Sequence, residues 1–169
     1  YRADLRRAPR FDPERARSLG VPLPLWRRLQ SGNPVSWDGG TADPDQVLGP
    51  PRSGVALAYV TDTRPLRSIE SLAAGVDLLV CEGTYGDDAD AGKAVERGHM
   101  TFREAAGLAA AANARQLWLT HFSPSVEEPS AFLGNATEVF PATTIGHAGL
   151  TLALAFADET GADGARPHG

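Results

Sequence analysis

QLWLTH, residues 116–121, is an apolar run that ends on a histidine. Two other runs are built alike: VALAYVTD (55–62) ends on Asp62, and DLLVCE (77–82) ends on Glu82. Helical stretches separate these runs, and this alternation is typical of βαβ units with a largely parallel sheet. In open sheets of this kind, ligands bind at the carboxyl ends of the strands, where the loops converge. The sequence therefore predicts that Asp62, Glu82 and His121 meet in one crevice.

These side chains have the chemistry of a metal centre. Borderline divalent metals prefer carboxylate and neutral imidazole ligands, and a carboxylate can bridge two ions. For each residue alone a simpler explanation exists, since a polar residue at a strand end often only caps the next turn.

His99 is a fourth candidate, because it lies two residues before Thr101, where the capping-box sequence TFRE (101–104) predicts that a helix begins. A nearby carboxylate such as Glu82 would favour the protonated imidazole and make His99 a candidate proton donor. The alternative is an exposed loop histidine. His147, in a predicted turn, is expected to be structural or solvated, and His168 lies in a polar tail.

Composition sets broad limits on the class of protein. With 169 residues, 42% of them hydrophobic, the chain should form a packed globule. No apolar run reaches about 18 residues, so no membrane span is expected. The single cysteine, Cys81, has no partner within the chain and favours a reducing cytoplasm. Because the chain begins with Tyr1 and not with a methionine, we expect it to be a piece that starts inside a longer gene.

Positive charge is concentrated at the start of the chain. Residues 1–30 hold eight arginines against Asp4, Asp12 and Glu14, a net charge of +5. The whole chain has a net charge of −5, so residues 31–169 carry −10. A basic segment on an acidic body suits contact with a phosphate backbone, although a solvated basic face is an equal alternative.

The chain divides by texture into an appendage, an α/β region and a tail. Residues 1–54 are expected to hold two short helices and a hairpin at Asp38–Gly39, without much core of their own. Residues 55–156 should form the α/β region, and residues 157–169 should be disordered. The predicted strands cover 55–61, 77–81, 116–120 and 150–156. The predicted helices of the α/β region run from Ser68 to Gly75, from Thr101 to Ala114 and from Pro129 to Phe140.

Four segments together resemble the carboxyl-terminal half of ribonuclease Z, the tRNA 3′-processing endonuclease of the metallo-β-lactamase superfamily. They are YVTDTRP (59–65), LLVCEGTYG (78–86), GHMTFREAAGLA (98–109) and LWLTHFSPS (117–125). The resemblance implies an α+β fold, a four-layer αβ/βα sandwich. This chain would supply its carboxyl-terminal half (55–156) and an exosite arm with a connection (1–54).

The resemblance also implies a role for each candidate residue. Asp62 matches the carboxylate that bridges the metals, and His121 matches the last metal-binding histidine. Glu82 and His99 match the pair that positions and delivers a proton to the leaving group. Cys81 stands where the family usually has a histidine, so its role is left open. Arg64 could contact a phosphate, although an ordinary surface arginine is the more common case.

The basic start resembles the arm with which this family holds the tRNA elbow. VPLPLWRRLQSG (21–32) keeps Trp26, Arg27 and Arg28 as tRNA-binding candidates but lacks the glycine of the family's Gly-Pro element. The implied complete protein is a cytoplasmic homodimer with two zinc ions that removes the 3′ trailer from precursor tRNA.

One family motif is missing from the sequence. His-x-His-x-Asp-His occurs nowhere in the 169 residues. We therefore expect the chain to be inactive by itself. Two alternatives stay open: another metallo-β-lactamase-fold hydrolase acting on small phosphodiesters or sulfate esters, which would not need the basic arm, and a non-catalytic binding module.

Overall fold

The computed structural model describes residues 1–156, which form two compact units. The larger unit combines residues 1–5 with the chain from Val55 onward, and the smaller unit spans Arg6–Gly54. The predicted disordered tail, 157–169, and His168 within it lie outside the described residues. Among residues 1–156, every helix is too short or too polar to span a bilayer.

A sheet of five strands forms the centre of the larger unit. Across the sheet the strands follow one another as β1 (Arg2–Arg7), β4 (Arg52–Val60), β5 (Leu78–Glu82), β6 (Leu117–Thr120) and β7 (Thr143–Ile145). The strands β4 to β7 are all parallel.

The pairing register gives the sheet one covered and one open face. Ala58, Leu79, Leu117 and Thr143 are aligned across the four parallel strands, and all are buried. The next aligned row is Tyr59, Val80, Trp118 and Thr144, and its members are half-buried or exposed. Successive side chains point to opposite faces of a strand, so the first row faces the helices and the second faces away from them.

The described residues of the larger unit contain four α-helices: α3 (Arg67–Leu72), α4 (Ala91–Arg97), α5 (Phe102–Ala111) and α6 (Leu133–Thr137). The capping box predicted for α5 is present. Thr101 accepts from the backbone N–H of Glu104, and the Glu104 carboxylate accepts from the N–H of Thr101. Helix α5 contacts both β5 and β6, and small alanines on its inner face allow this close packing.

The smaller unit has a core of its own, so the expectation of an appendage without much core is wrong. It contains α1 (Pro13–Ser18), α2 (Trp26–Gln30) and a hairpin of β2 (Val35–Trp37) and β3 (Gly40–Ala42), which turns at Asp38–Gly39 as predicted. Six buried hydrophobic residues pack together: Ala16, Val21, Leu29, Val35, Ala42 and Val47. They are spread thinly along the sequence, which hid the core.

The sheet also departs from the prediction at both ends. Residues 150–156, predicted as a strand, form none, and the strand beside β6 is β7 at Thr143–Ile145. Strand β1 was not foreseen because its sequence, RADLRR, is charged and its residues are mostly exposed, as befits an edge strand. The predicted helix from Pro129 to Phe140 is a 3-10 turn (Pro129–Phe132) followed by α6.

Candidate active site

The ends of three neighbouring parallel strands bring the candidate residues to one edge of the sheet. Asp62 lies two residues beyond β4, Glu82 is the last residue of β5, and His121 follows β6 directly. His99 comes from the segment between α4 and α5. His121 Nε2 lies 3.2 Å from Asp62 Oδ1, and His99 Nδ1 lies 3.2 Å from Glu82 Oε2. The histidine rings are 5.3 Å apart, so the two pairs form one site.

Asp62, His99 and His121 have the geometry of a metal-binding group. One ligand atom from each lies within 4.8 Å of the others. A tetrahedral ion about 2.1 Å from its nitrogen and oxygen ligands keeps them roughly 3.4 Å apart, which matches the separation of His121 Nε2 and Asp62 Oδ1. The side chains of Asp62 and His121 are 64% and 43% exposed, so further ligands can reach the same point.

Both of these residues have a left-handed backbone. The φ angle is 52° at Asp62 and 58° at His121, a region in which a non-glycine residue costs about 1–2 kcal/mol. Aspartate and histidine tolerate the region better than most residues, and such conformations cluster at ligand-binding sites. The local strain therefore coincides with the two residues that the family resemblance assigns to the metal.

Glu82 is the most enclosed charged group of the site. Its side chain is fully buried, and four donors surround its two oxygens. The backbone N–H groups of Thr63 and Met100 donate over 2.6 and 3.1 Å, and the Thr84 hydroxyl donates over 2.7 Å. The Nδ1 of His99 is the fourth partner. Because a buried carboxylate is stable only when it is hydrogen-bonded, this arrangement holds Glu82 rigidly.

His99 is held by Glu82 through one ring nitrogen only. Its Nδ1 lies 3.3 and 3.2 Å from the two Glu82 oxygens, and its side chain is 23% exposed. The Nε2 of the ring is therefore available to a substrate or a metal. A cavity of about 640 Å³ adjoins both histidines, and Lys93, Glu96 and Arg97 of α4 line its wall.

Arg64 is engaged by groups of the protein. Its guanidinium donates to both oxygens of Glu104 and to the carbonyl of His99. Because Glu104 also caps α5, Arg64 connects the loop after β4 to the start of that helix. The phosphate contact suggested for Arg64 stays a prediction.

The side chain of Cys81 is fully buried. Burial, with a smaller contribution from the charge of Glu82, raises the pKa of its thiol to about 12. Its Sγ lies 3.8 Å from the Sδ of Met100. Metal binding and nucleophilic attack both require a thiolate, so Cys81 acts here as a small apolar residue.

Thr84 is a residue that sequence reasoning missed. It is 5% exposed and contacts both Glu82 and His121. The only sequence signal is its position two residues after Glu82. Between them, Gly83 is tightly enclosed: a Cβ there would lie 2.8 Å from Phe102 Cδ1 and 3.1 Å from Leu119 Cδ2.

The arm candidates lie in the smaller unit. Trp26 is half-buried, donates from Nε1 to the Val21 carbonyl, and stacks under the guanidinium of Arg17 at 5.4 Å. Arg27 and Arg28 are exposed on α2. His147 is exposed, and its Nδ1 lies 3.1 Å from the carbonyl of Ala148.

Known proteins are similar to this chain in sequence. A family described as Beta-lactamase superfamily domain matches residues 45–122, which include all four site residues. Ribonuclease Z of Clostridioides difficile (strain 630) is 49% identical over 156 residues, covering 92% of this chain and 51% of that protein. Ribonuclease Z of Lachnospira eligens is 43% identical over 159 residues, covering 94% of this chain and 52% of that protein.

A solved structure, the metallo-beta-lactamase fold protein YhfI from Bacillus subtilis, is 27% identical, with a TM-score of 0.49 over 54% of this chain and 37% of its own. The chain spans about half the length of the curated relatives that it matches. Over most of its own length the chain is therefore homologous to ribonuclease Z, and this homology, together with the family match at residues 45–122, indicates the metallo-β-lactamase fold.

Proposed function

We propose that this chain is the carboxyl-terminal part of a zinc-dependent endoribonuclease that removes the 3′ trailer from precursor tRNA by phosphodiester hydrolysis. The observation that carries the proposal is the meeting of two pairs, Asp62 with His121 and Glu82 with His99, at one sheet edge. Homology to ribonuclease Z over most of the chain supports the substrate class.

Asp62 and His121 are the residues of this chain that would hold the proposed zinc ions. Bound zinc would lower the pKa of a coordinated water and offset the negative charge of the scissile phosphate. Catalytic zinc normally takes three protein ligands per ion, so these two residues need partners from elsewhere in the complete protein. We therefore expect residues 1–169 alone to be inactive.

His99 is the proposed general acid. Its Nδ1 faces the Glu82 carboxylate, which only accepts hydrogen bonds, so Nδ1 carries a proton and Nε2 is the nitrogen that would deliver a proton to the leaving group. Water supplies the oxygen of the new P–O bond. As the bond to the leaving 3′ oxygen breaks, that oxygen takes the proton from His99. Glu82 does not contact the reacting atoms and acts by holding the ring of His99.

The proposed tRNA contact outside the catalytic site is the basic arm. Arg27 and Arg28 are exposed on one short helix, and neutralising backbone phosphates releases counterions, which supplies affinity independent of sequence. Trp26 would support this surface. A homodimer and a cytoplasmic location are further parts of the proposal, taken from the family resemblance.

The role of His99 as general acid is tested by comparing His99→Asn with His147→Asn. Both variants are made in a protein that includes any sequence encoded before Tyr1. His99→Asn should lower kcat for precursor tRNA about 10²–10⁴-fold with zinc content unchanged, because only the proton donor is lost. His147→Asn, a change at an exposed histidine, should leave cleavage as it is. Full activity of His99→Asn would contradict the assignment.

The test of the arm is the double variant Arg27→Ala, Arg28→Ala. It should weaken precursor tRNA binding at least about tenfold, with a smaller dependence on salt, and leave hydrolysis of a small chromogenic phosphodiester unchanged. The matched control is Arg10→Ala, Arg15→Ala, which removes the same charge from exposed positions outside α2. Unchanged tRNA cleavage by the first variant would instead favour a hydrolase of small phosphodiesters or sulfate esters.

A further inference from the structure

Thr84 lies between the two halves of the site. Its hydroxyl donates to Glu82 Oε2 over 2.7 Å and lies 3.2 Å from Nδ1 of His121. The residue is 5% exposed, so few water molecules can compete for these contacts. The same carboxylate contacts Nδ1 of His99 directly.

The chemistry of a hydroxyl fixes the direction of both contacts. A threonine side chain has one proton to donate and two lone pairs that accept. An ionised carboxylate only accepts, and a charge-assisted bond is stronger than a neutral one, so the Thr84 proton belongs to Glu82. The oxygen of Thr84 must then accept from His121, which places a proton on Nδ1 of that ring.

A proton on Nδ1 leaves the lone pair of the neutral ring on Nε2. This lone pair faces Asp62 Oδ1 at 3.2 Å, a separation suited to two ligands of one tetrahedral ion. Asp62 alone would favour the opposite tautomer by accepting from Nε2–H. A bound cation removes that competition, because it takes the lone pairs of both atoms.

We propose that Thr84 is a positioning residue that fixes the Nδ1–H tautomer of His121 by relaying the negative charge of Glu82 to that ring. One buried carboxylate thus orients both histidines, His99 directly and His121 through Thr84. The role in metal binding rests on the proposed function, whereas the preference that Thr84 gives to the Nδ1–H form does not depend on it.

The first experiment measures zinc affinity by competition with a chelator, in the protein encoded with any sequence that precedes Tyr1. Thr84→Val keeps the shape but removes the hydroxyl, and it should bind zinc about 10–100-fold more weakly. Thr84→Ser should restore the affinity to within about threefold, since it keeps the relay. Thr143→Val is the control, because this buried threonine donates to the Phe140 carbonyl instead.

The second experiment reads the ring protons by ¹⁵N NMR of labelled histidine. The zinc-loaded wild type should show a His121 Nδ1–H that exchanges slowly with water, and Thr84→Val should show fast exchange. Metal-free Asp62→Gly, at a pH about two units above the usual histidine pKa, should also hold the Nδ1–H form. Adding Thr84→Val to this variant should give a mixture of tautomers.

Equal zinc affinity in Thr84→Val and wild type would overturn the relay, and so would a proton on Nε2 of His121 in metal-free Asp62→Gly. If Thr84→Val does not fold, the zinc affinity of Thr84→Ser and the His121 tautomer in metal-free Asp62→Gly still test the relay. Failure of the wild type to bind zinc would contradict the proposed function alone, since the metal-free tautomer measurement stands independently of it.

Discussion

Glu82 and Asp62 are carboxylates that follow neighbouring strands of one sheet, yet their surroundings are opposite. Glu82 is fully buried and has four donors, whereas the side chain of Asp62 is 64% exposed and contacts one imidazole and the hydroxyl of Thr61. The Glu82–His99 pair is therefore complete within this chain. The Asp62–His121 pair is open to further ligands, so the two regions differ in how far they are organised before anything binds.

The largest expected effect separates these two carboxylates by their contribution to stability. Glu82→Gln should lower the free energy of unfolding by about 3–5 kcal/mol, because an amide NH₂ would face the donors that surround this buried position and the half-buried His99 would lose its charged partner. Asp62→Asn should change it by less than about 0.5 kcal/mol, since asparagine also tolerates the left-handed backbone. Urea unfolding of both variants is the measurement, and equal losses would break the comparison.

The buried side of the comparison also predicts a dependence of stability on pH. The pKa of Cys81 is about 12 in the fold, above that of an unfolded thiol. The contribution of this thiol to the free energy of unfolding is therefore complete below the pKa of the unfolded thiol, and it is lost as the pH rises towards 12. Between pH 8.5 and pH 10 the loss should be about 1–2 kcal/mol. The slope should be absent in Cys81→Ala, and parallel curves for the two proteins would contradict the enclosed thiol.

The smallest effect concerns the open side. His121→Asn replaces the histidine at a φ of 58° by the residue that best tolerates this backbone after glycine. We expect it to raise the free energy of unfolding by about 0.5 kcal/mol and to abolish zinc binding. Thermal unfolding and zinc titration of the same sample measure both. A loss of stability would mean that His121 is a structural residue.

The sequence predicts local features of this fold better than it predicts tertiary contacts. The capping box of α5 and the Asp38–Gly39 turn depend on neighbours in the chain, and both are present. The positions of Asp62, Glu82 and His121 at the ends of strands could be predicted because an apolar run ends at each of them.

Other features depend on contacts between distant segments. The role of Thr84 rests on a contact with His121, 37 residues away, which no local pattern announces. Residues 150–156 look like a strand by their apolar content, yet the place beside β6 is taken by the shorter Thr143–Ile145. Position in the sheet therefore overrode local composition.

Gly83 has a consequence for how this site can vary between relatives. Its missing side chain makes room for the ring of Phe102, which opens the helix that follows the His99 segment. Gly83→Ala should be harmful unless Phe102 becomes smaller, and a double-mutant cycle should show strong coupling between the two positions. Substitutions at Gly83 and Phe102 are therefore expected to occur together. A larger residue at one position and a smaller residue at the other would keep the packing unchanged, and Glu82 and His99 would stay within reach of each other.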